Sequence, residues 1–498
     1  MNFRSILSSF MGEDRRRRTA VIFHQRGYTY EELFGFAAVL AGDLKGISKD
    51  LRILVQVKNP LAHVVACLAA DTVAEGVGHL HAGTEPRLLV QLASEFKPDV
   101  LITDLTPLAE SDEIGSKIPK VLSLAENWLE SPPQDVALRV FQGAQKGTPT
   151  STVLFTSGSA GLPKGVVLPE ENIPRNAETI RNVLSLTEHD VGAMFAPLTM
   201  GMNQIYVFAH LICGAAIVLE ENFLSPNDRV ADFAKYGVTG FSTIPAALDI
   251  MLARCDSRVL EALPLRYIRI GAGRFPAEKI RALQQRFPGL RVFKTYGLTE
   301  IGLVTVLDSD DPAAAYDSVG KPADGVAVEI VNDDGTSLPP YSSGEVVVSG
   351  AHQMREYYHD PGETAATLKG GRIHTGDLGY QDRQGYVFIT DRLKDMLKIA
   401  GESIHPAKIE EVVGRMRGVI EAAVVAIEDP VTGEAAEVFV EPDGTAGISP
   451  RDILKHCRSE LPARLVPKSV VIVEKLPRTA TGKVDRIKLR AQRNFDSS

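Results

Sequence analysis

Cysteine is scarce in this chain of 498 residues: there are four, Cys67, Cys213, Cys255 and Cys457. They stand far apart, with no CxxC pair and no cysteine/histidine cluster in the linear order. That excludes a disulfide scaffold, argues against a zinc site, and suits inert buried thiols in a reducing compartment. Long apolar runs are missing too. Leu61 to Ala70 is among the longest, well short of the roughly 18 residues of a membrane span, and it carries a histidine. It reads as a core helix. No signal-peptide pattern opens the chain, Glu13 and Asp14 weigh against a transit peptide, and a cytoplasmic location is expected. Positive charge is not in excess. Lys and Arg number 54 against 63 Asp and Glu, a net charge of −9, which argues against a general nucleic-acid binder. Arg15 to Arg18 reads as a solvated turn before a strand rather than a localisation patch. Glycine (42) and proline (29) are near ordinary usage, so collagenous and low-complexity classes are excluded.

What is present is ordinary globular composition, 44% hydrophobic and 23% charged, in a chain long enough for about three domain-sized units. Short apolar runs (Leu51–Val57, Asp99–Thr103, Ser151–Phe155, Ala215–Leu219, Tyr267–Gly271) alternate with helical stretches. The helices include Asn176–Leu186, Pro226–Tyr236 and Pro276–Phe287. Strands alternating with helices predict α/β layers with largely parallel sheets. After about residue 315 the pattern turns β-rich, with Val326–Asn332, Gly344–Gly350 and Gly385–Ile389 divided by turns, as in a small β-barrel or meander. From Asp391 a compact α+β unit follows: helix Pro406–Met416, strands Ala422–Ile427 and Ala436–Val440, helix Pro450–Glu460. The expected division is 1–391 and 392–498.

The strongest local signal is the segment Ser151-Thr-Val-Leu-Phe-Thr-Ser-Gly-Ser-Ala-Gly-Leu-Pro-Lys-Gly165. A strand runs into a loop holding Gly158, Gly161 and Gly165, the hydroxyls of Thr156, Ser157 and Ser159, and Lys164. Backbone N–H groups exposed by glycine, hydroxyl donors and one ammonium are what a polyphosphate needs. It is not a Walker A loop, because Pro163 precedes Lys164 and Gly165 follows it.

This loop resembles the phosphate-loop signature of the acyl-adenylate-forming superfamily, which holds acyl-CoA synthetases, adenylation domains of peptide synthetases and beetle luciferase. Further segments resemble the family's signatures in order: Tyr296-Gly-Leu-Thr-Glu300, Gly344-Glu345, Thr375-Gly-Asp377, Asp391-Arg-Leu-Lys-Asp-Met-Leu-Lys-Ile-Ala-Gly401 and Pro477-Arg-Thr-Ala-Thr-Gly-Lys483. The likeness spans roughly residues 19 to 490; Gly78-His-Leu-His81 departs, standing where relatives carry a Val-Pro-Leu-like stretch. The resemblance implies a large N-terminal domain of α/β layers plus a β-barrel, and a small mobile α+β C-terminal domain. It implies attack of a carboxylate on the α-phosphorus of ATP, then transfer of the acyl group to a thiol. Two anions must meet, so positive charge must be supplied.

The implied roles follow. Lys483 bridges the acid and AMP. Glu300 ligates Mg²⁺ and Thr299 donates to the α-phosphate. ATP and AMP contact Thr156, Ser157, Gly158, Ser159, Gly161 and Lys164. Tyr296 stacks on adenine, Gly271, Ala272, Gly273 and Gly297 let the nucleotide approach, and Asp377 with Arg392 takes the ribose. Lys394 is the hinge residue, where many relatives have Asp, and Gly401 lines a thiol tunnel for the pantetheine arm of CoA or of a carrier protein. Met200, Gly201, Phe241, Ile301 and Gly302 line the acyl pocket. Pro197-Leu-Thr-Met-Gly-Met-Asn203 has no carboxylate, so a buried substrate ammonium would lack a partner and an α-amino acid is disfavoured. The expected enzyme is an AMP-forming acid–CoA ligase for an aryl or medium aliphatic acid. The alternatives are an acyl-AMP ligase that loads a carrier protein, and a non-catalytic nucleotide-binding scaffold.

Overall fold

The computed structural model describes residues 13–124, 126–129, 151–156, 163–221, 225–273, 275–399, 402–444, 447–478, 484–486 and 488–490. The chain divides into two compact units, Met1–Val328 with Val348–Ile373, and Glu329–Val347 with His374–Ser498.

The continuous apolar runs become strands buried on both faces, as parallel sheets between helices require. In the first unit one nine-stranded sheet runs in the order Lys321–Pro322, Gly302–Asp308, Arg291–Leu298, Tyr267–Ile270, Gly240–Thr243, Val191–Met194, Ala216–Leu219, Thr19–Phe23, Arg26–Thr29. Its central pairings are parallel, and Arg291–Leu298 with Gly302–Asp308 forms an antiparallel hairpin at one side. The second, seven-stranded sheet runs Glu356–Tyr357, Lys164–Leu168, Ser151–Thr156, Gly76–His79, Arg52–Gln56, Val100–Thr103, Lys120–Ser123. The largest core cluster joins residues of both sheets to the helices Tyr30–Leu44, Pro60–Val73 and Gly201–Leu211.

Local chemistry sets the helix starts. Thr29 and Glu32 form a reciprocal capping box for Tyr30–Leu44, and Asn59 caps Pro60–Val73 with Pro60 in the first turn. The helix expected from Asn176 begins earlier, at Asn172. Pro174 sits in its first turn, where a missing N–H costs no intrahelical bond. No helix among the described residues is long and apolar enough to cross a membrane.

Gly344–Gly350, Arg372–Gln381 and Val387–Arg392 belong to a five-stranded sheet. The C-terminal sheet orders Glu402–Ile404, Leu397–Ile399, Gly433–Pro442 and Val419–Asp429, with Ser469–Ile472 parallel to Gly433–Pro442. Leu397, Ile409, Val424, Val438 and Ile453 share its core with the helices Pro406–Gly414 and Pro450–Glu460. Residues 329–347 and 374–391 group with this C-terminal body, whereas the composition shift puts a boundary at 391/392. Asp391 is one tie: His405 Nδ1 lies 3.4 Å from its carboxylate, and the Ala407 N–H donates to it at 3.4 Å.

Candidate active site

The glycine-rich loop is held at its two ends. Thr156 and Lys164 are the last cross-strand pair of the hairpin Ser151–Thr156/Lys164–Leu168, and the Thr156 hydroxyl donates to the Lys164 carbonyl at 3.3 Å. Ser157, Gly158, Ser159 and Gly161 lie outside the described residues. The short strand Glu356–Tyr357 pairs with Lys164–Leu168 and sets Tyr357 beside Lys164, whose ammonium lies 5.7 Å from the ring centroid. Lys164 also forms an ion pair with Glu363. On its other side the Tyr357 hydroxyl donates to Glu300 Oε1 at 2.6 Å. Burial, reinforced by the Glu300 charge, pushes the Tyr357 phenol well above its usual range, so it stays a neutral donor. Three segments remote in sequence thus converge: the loop's ends, Tyr357 with Glu363, and Glu300. Tyr357 and Glu363 carried no motif signal, and only the fold brings them here.

The Thr299–Glu300 turn is clamped from below. Asn172 Nδ2 donates to the carbonyls of Ile301 (3.0 Å) and His352 (2.7 Å). Asn176 Nδ2 donates to Ile301 O at 3.0 Å, and Asn176 Oδ1 accepts from Leu303 N at 2.9 Å. The Met354 N–H donates to Glu300 O at 2.6 Å. Gly302 has φ +95°, and a Cβ there would lie 2.4 Å from Asn176 Nδ2. No other residue fits that turn.

Glu300 can offer a hard cation one oxygen. Its carboxylate is half-buried, Tyr357 fixes Oε1, and Oε2 has no partner among the described residues. Mg²⁺ commonly takes only one or two carboxylates and leaves its other positions to phosphate and water.

Tyr296 is half-buried and pairs across the hairpin with Thr305. Gly271-Ala-Gly273 follows the strand Tyr267–Ile270; Ala272 takes φ +60°, and Ala272 and Gly273 are exposed. Met200 occupies the N-cap position of Gly201–Leu211, and a Cβ on Gly201 would meet Leu154 at 2.7 Å. Two expected pocket side chains are sealed elsewhere. Phe241 is 1% exposed and packs against Phe195 and Phe233. Ile301 is fully buried. Along Gly240–Thr243 and Tyr267–Ile270 the period of two puts Phe241, Ile268 and Ile270 in one core cluster. Ser242 and Arg269 therefore point to the opposite face, that of Tyr206 and Tyr267; the acyl-pocket expectation covered the strand at Ser242 but not Arg269.

In the second unit, Asp377 and Arg392 are cross-strand partners, and Arg392 Nε donates to Asp377 Oδ1 at 2.7 Å. Two of the sequence signatures lock together here. Glu345 accepts from the Gly376 N–H (3.0 Å) and pairs with His374 Nδ1 (2.7 Å), while the Thr375 hydroxyl donates to Val346 O (2.6 Å). Gly376 takes φ +69°, which suits glycine. The expected hinge falls in the 3-10 turn Leu393–Asp395; the Lys394 side chain, Gly401 and Lys483 lie outside the described residues.

One grouping is not visible in the linear order. Cys67, without a histidine partner in the linear pattern, is brought by the fold to His63 and His79, with ligand atoms within 4.8 Å of one another. Cys67 lies one helical turn after His63, and His79 ends the strand Gly76–His79. The two imidazoles satisfy each other at 3.1 Å, and burial pushes both well down, so they are neutral.

Known proteins share this organisation. The family model "AMP-binding enzyme" matches residues 11–358, and "AMP-binding enzyme C-terminal domain" matches 408–483. The indoleacetate–CoA ligase of Aromatoleum aromaticum is 30% identical over 95% of this chain and 94% of its own. The 2-succinylbenzoate–CoA ligase of Bacillus cereus is 28% identical over 95% of each chain. Among solved structures, ATP-bound MatB from Rhodopseudomonas palustris superposes with a TM-score of 0.86 at 23% identity, covering 99% of both chains.

Proposed function

The chain belongs to the AMP-binding enzyme family, and from that premise we propose that it is an ATP-dependent acid–CoA ligase. It joins a carboxylic acid to AMP, releasing pyrophosphate, and passes the acyl group to the thiol of CoA. The observation that carries this reading is the convergence of Lys164 and Thr156, at the ends of a glycine-rich loop, with Tyr357 and Glu300.

The residues divide the work. Lys164 and the Thr156 hydroxyl hold the polyphosphate, which takes the place of Glu363 on the Lys164 ammonium. Tyr357 keeps Glu300 in place, and Glu300 holds Mg²⁺. A bound Mg²⁺ supplies charge neutralisation at the phosphates. Thr299 donates to the α-phosphate, Tyr296 stacks on the adenine, and Asp377, oriented by Arg392, accepts from the ribose hydroxyls. An oxygen of the acid's carboxylate attacks the α-phosphorus, and the bond to pyrophosphate breaks. Lys483 steadies the two approaching anions. In the second step the thiolate of CoA attacks the acyl carbonyl and AMP leaves with its phosphate. We assign the exchange of the two steps to movement of the last hundred or so residues about Lys394, which removes Lys483 and presents Gly401 to the pantetheine arm.

An α-amino acid is disfavoured, because residues 197–203 offer no carboxylate for its ammonium. The named acids of the two relatives, indoleacetate and 2-succinylbenzoate, support an aromatic or medium-sized acid. The test is thioester formation with free CoA across an acid panel. Transfer to a holo-carrier protein and none to CoA would reassign the acceptor.

A further inference from the structure

The first unit gathers a set of metal-binding side chains that the proposed reaction does not use. The helix Pro60–Val73 carries His63, Cys67 and Asp71 four residues apart, so they form one row along a single face. His79 meets that row from the end of the strand Gly76–His79. The ligand atoms of His63, Cys67 and His79 all lie within 4.8 Å of one another. His63 Nε2 and His79 Nδ1 face each other at 3.1 Å, and the Gln204 amide nitrogen lies 3.5 Å from the same His63 nitrogen. Both histidines are buried, and the helix around His63 is otherwise built of alanine, valine and leucine. Polar groups set into such an apolar layer cost stability unless something engages them.

The spacing suits an ion. The edges of a tetrahedral zinc site are about 3.4 Å between two nitrogens and about 3.6 Å between nitrogen and sulfur. The two imidazole nitrogens already stand near the first value, and a shift of Sγ by roughly 1 Å meets the second. Imidazole and thiolate donors suit Zn²⁺, whereas Mg²⁺ and Ca²⁺ take oxygen. Burial keeps both imidazoles uncharged near neutral pH, so no imidazolium has to be discharged first. A cavity of about 30 Å³ adjoins the cluster, and its lining includes Cys67, Asp71, His79, Thr152, Glu170 and Gln204. That is room for one water among polar partners. Cys67, Asp71, Thr152 and Glu170 are each partly exposed, which gives an ion a way in.

We propose that His63 Nε2, Cys67 Sγ and His79 Nδ1 bind one Zn²⁺, with a water in the adjoining cavity as the fourth ligand. Binding breaks the Cys67 S–H bond, forms a Zn–S bond and sends the proton to solvent. The hydrogen between the two imidazoles moves to the far nitrogen of the ring that carries it, which frees both lone pairs for the ion. The ion then ties the helix Pro60–Val73 to the strand Gly76–His79. That strand pairs in parallel with Ser151–Thr156, with His79 opposite Leu154, so the ion braces the strand that enters the glycine-rich loop. The linear order argues against a zinc site only because its third ligand comes from the next strand.

The test uses the full-length protein, freed of metal with EDTA, and Co²⁺ as a coloured stand-in for Zn²⁺. The expected result is one Co²⁺ per chain, seen as a thiolate-to-cobalt charge-transfer band with the intense visible bands of a four-coordinate site. One equivalent of Zn²⁺ should erase these bands, and Mg²⁺ should not. Zn²⁺ at roughly a hundredfold excess over its Kd should raise Tm by about 3 °C or more. Cys67→Ala should abolish the charge-transfer band and the Zn²⁺ effect on Tm, and leave Mg²⁺-dependent pyrophosphate exchange unchanged. No charge-transfer band in the unaltered chain, or a band that survives in Cys67→Ala, would overturn the site. If Cys67→Ala does not fold, anomalous scattering from zinc-loaded crystals of the unaltered chain decides. Zinc density between His63, Cys67 and His79 upholds the site, and density only elsewhere refutes it. Absent exchange activity would sink the ligase reading and leave the zinc test standing.

Discussion

Replacing Gly302 by alanine should cost far more than one methyl group suggests. Two terms can be worked from the structure. The backbone at Gly302 has φ +95°, and holding a residue with a Cβ in left-handed space costs about 1–2 kcal/mol. The new Cβ would also lie 2.4 Å from Asn176 Nδ2 and 2.6 Å from its Oδ1, so the amide must move. Asn176 then loses its bonds to Ile301 O and Leu303 N, and leaving such buried groups unpaired costs about 1–3 kcal/mol. The sum is about 2–5 kcal/mol, within the range for strain plus a broken buried network. Glu300 sits two residues away, so pyrophosphate exchange should fall roughly tenfold or more as its carboxylate shifts. Trp128, the sole tryptophan, packs on Phe36 with ring centroids 5.4 Å apart at the first unit's main core. Its fluorescence during urea unfolding therefore reports on the unit that contains Gly302. Asn176→Ala removes the clash, so the double variant should lose about 1–2 kcal/mol less than the two single losses added. A Gly302→Ala loss under about 1 kcal/mol, or strict additivity in the double variant, would refute the clamp.

Other expectations are as direct. Burial pushes His79 and His210 down to about 4, below the roughly 6.5 of an unfolded chain. The unfolded state therefore takes up protons first. Stability should be flat above about pH 6.5 and fall from there toward pH 4, by up to about 1.4 kcal/mol per pH unit for each histidine. A urea midpoint unchanged between pH 7 and pH 5 would contradict this. Tyr357→Phe removes the donor that fixes Glu300 Oε1, so half-saturation by Mg²⁺ in the exchange assay should rise several-fold while the KM for the acid stays constant; an unchanged Mg²⁺ requirement would dismiss the role. Lys483→Ala should suppress adenylation by orders of magnitude yet leave thioester formation from supplied acyl-AMP largely intact, and equal loss of both steps would contradict the division of labour.

The layered α/β order was legible because parallel strands covered on both faces read as short apolar runs between helical stretches. The signatures were legible because each keeps its chemistry within a few residues, as in Thr375-Gly-Asp377 or Tyr296 to Glu300. Their mutual support was not. Glu345 serves the Gly376 turn across two strands, and Asn172 and Asn176 reach Ile301 from a helix more than a hundred residues earlier. Phe241 shows the limit most clearly. A strand buried on both sides has no polar face to mark which side meets the site, so its ring went to the core while Ser242 and Arg269 took the other face. The Cys67 cluster was hidden for a related reason: the helix supplies His63 and Cys67 one turn apart, but His79 comes from the next strand.

The central claim, activation of a carboxylic acid on AMP for transfer to CoA, is tested most directly by acid-dependent exchange of labelled pyrophosphate into ATP, followed in the same tube by addition of CoA. Exchange that requires both an acid and Mg²⁺, and that gives way to one thioester per AMP once CoA is added, is the predicted result. No exchange across a broad panel of mono- and diacids, with ATP bound but intact, would contradict it and leave a nucleotide-binding protein without the chemistry.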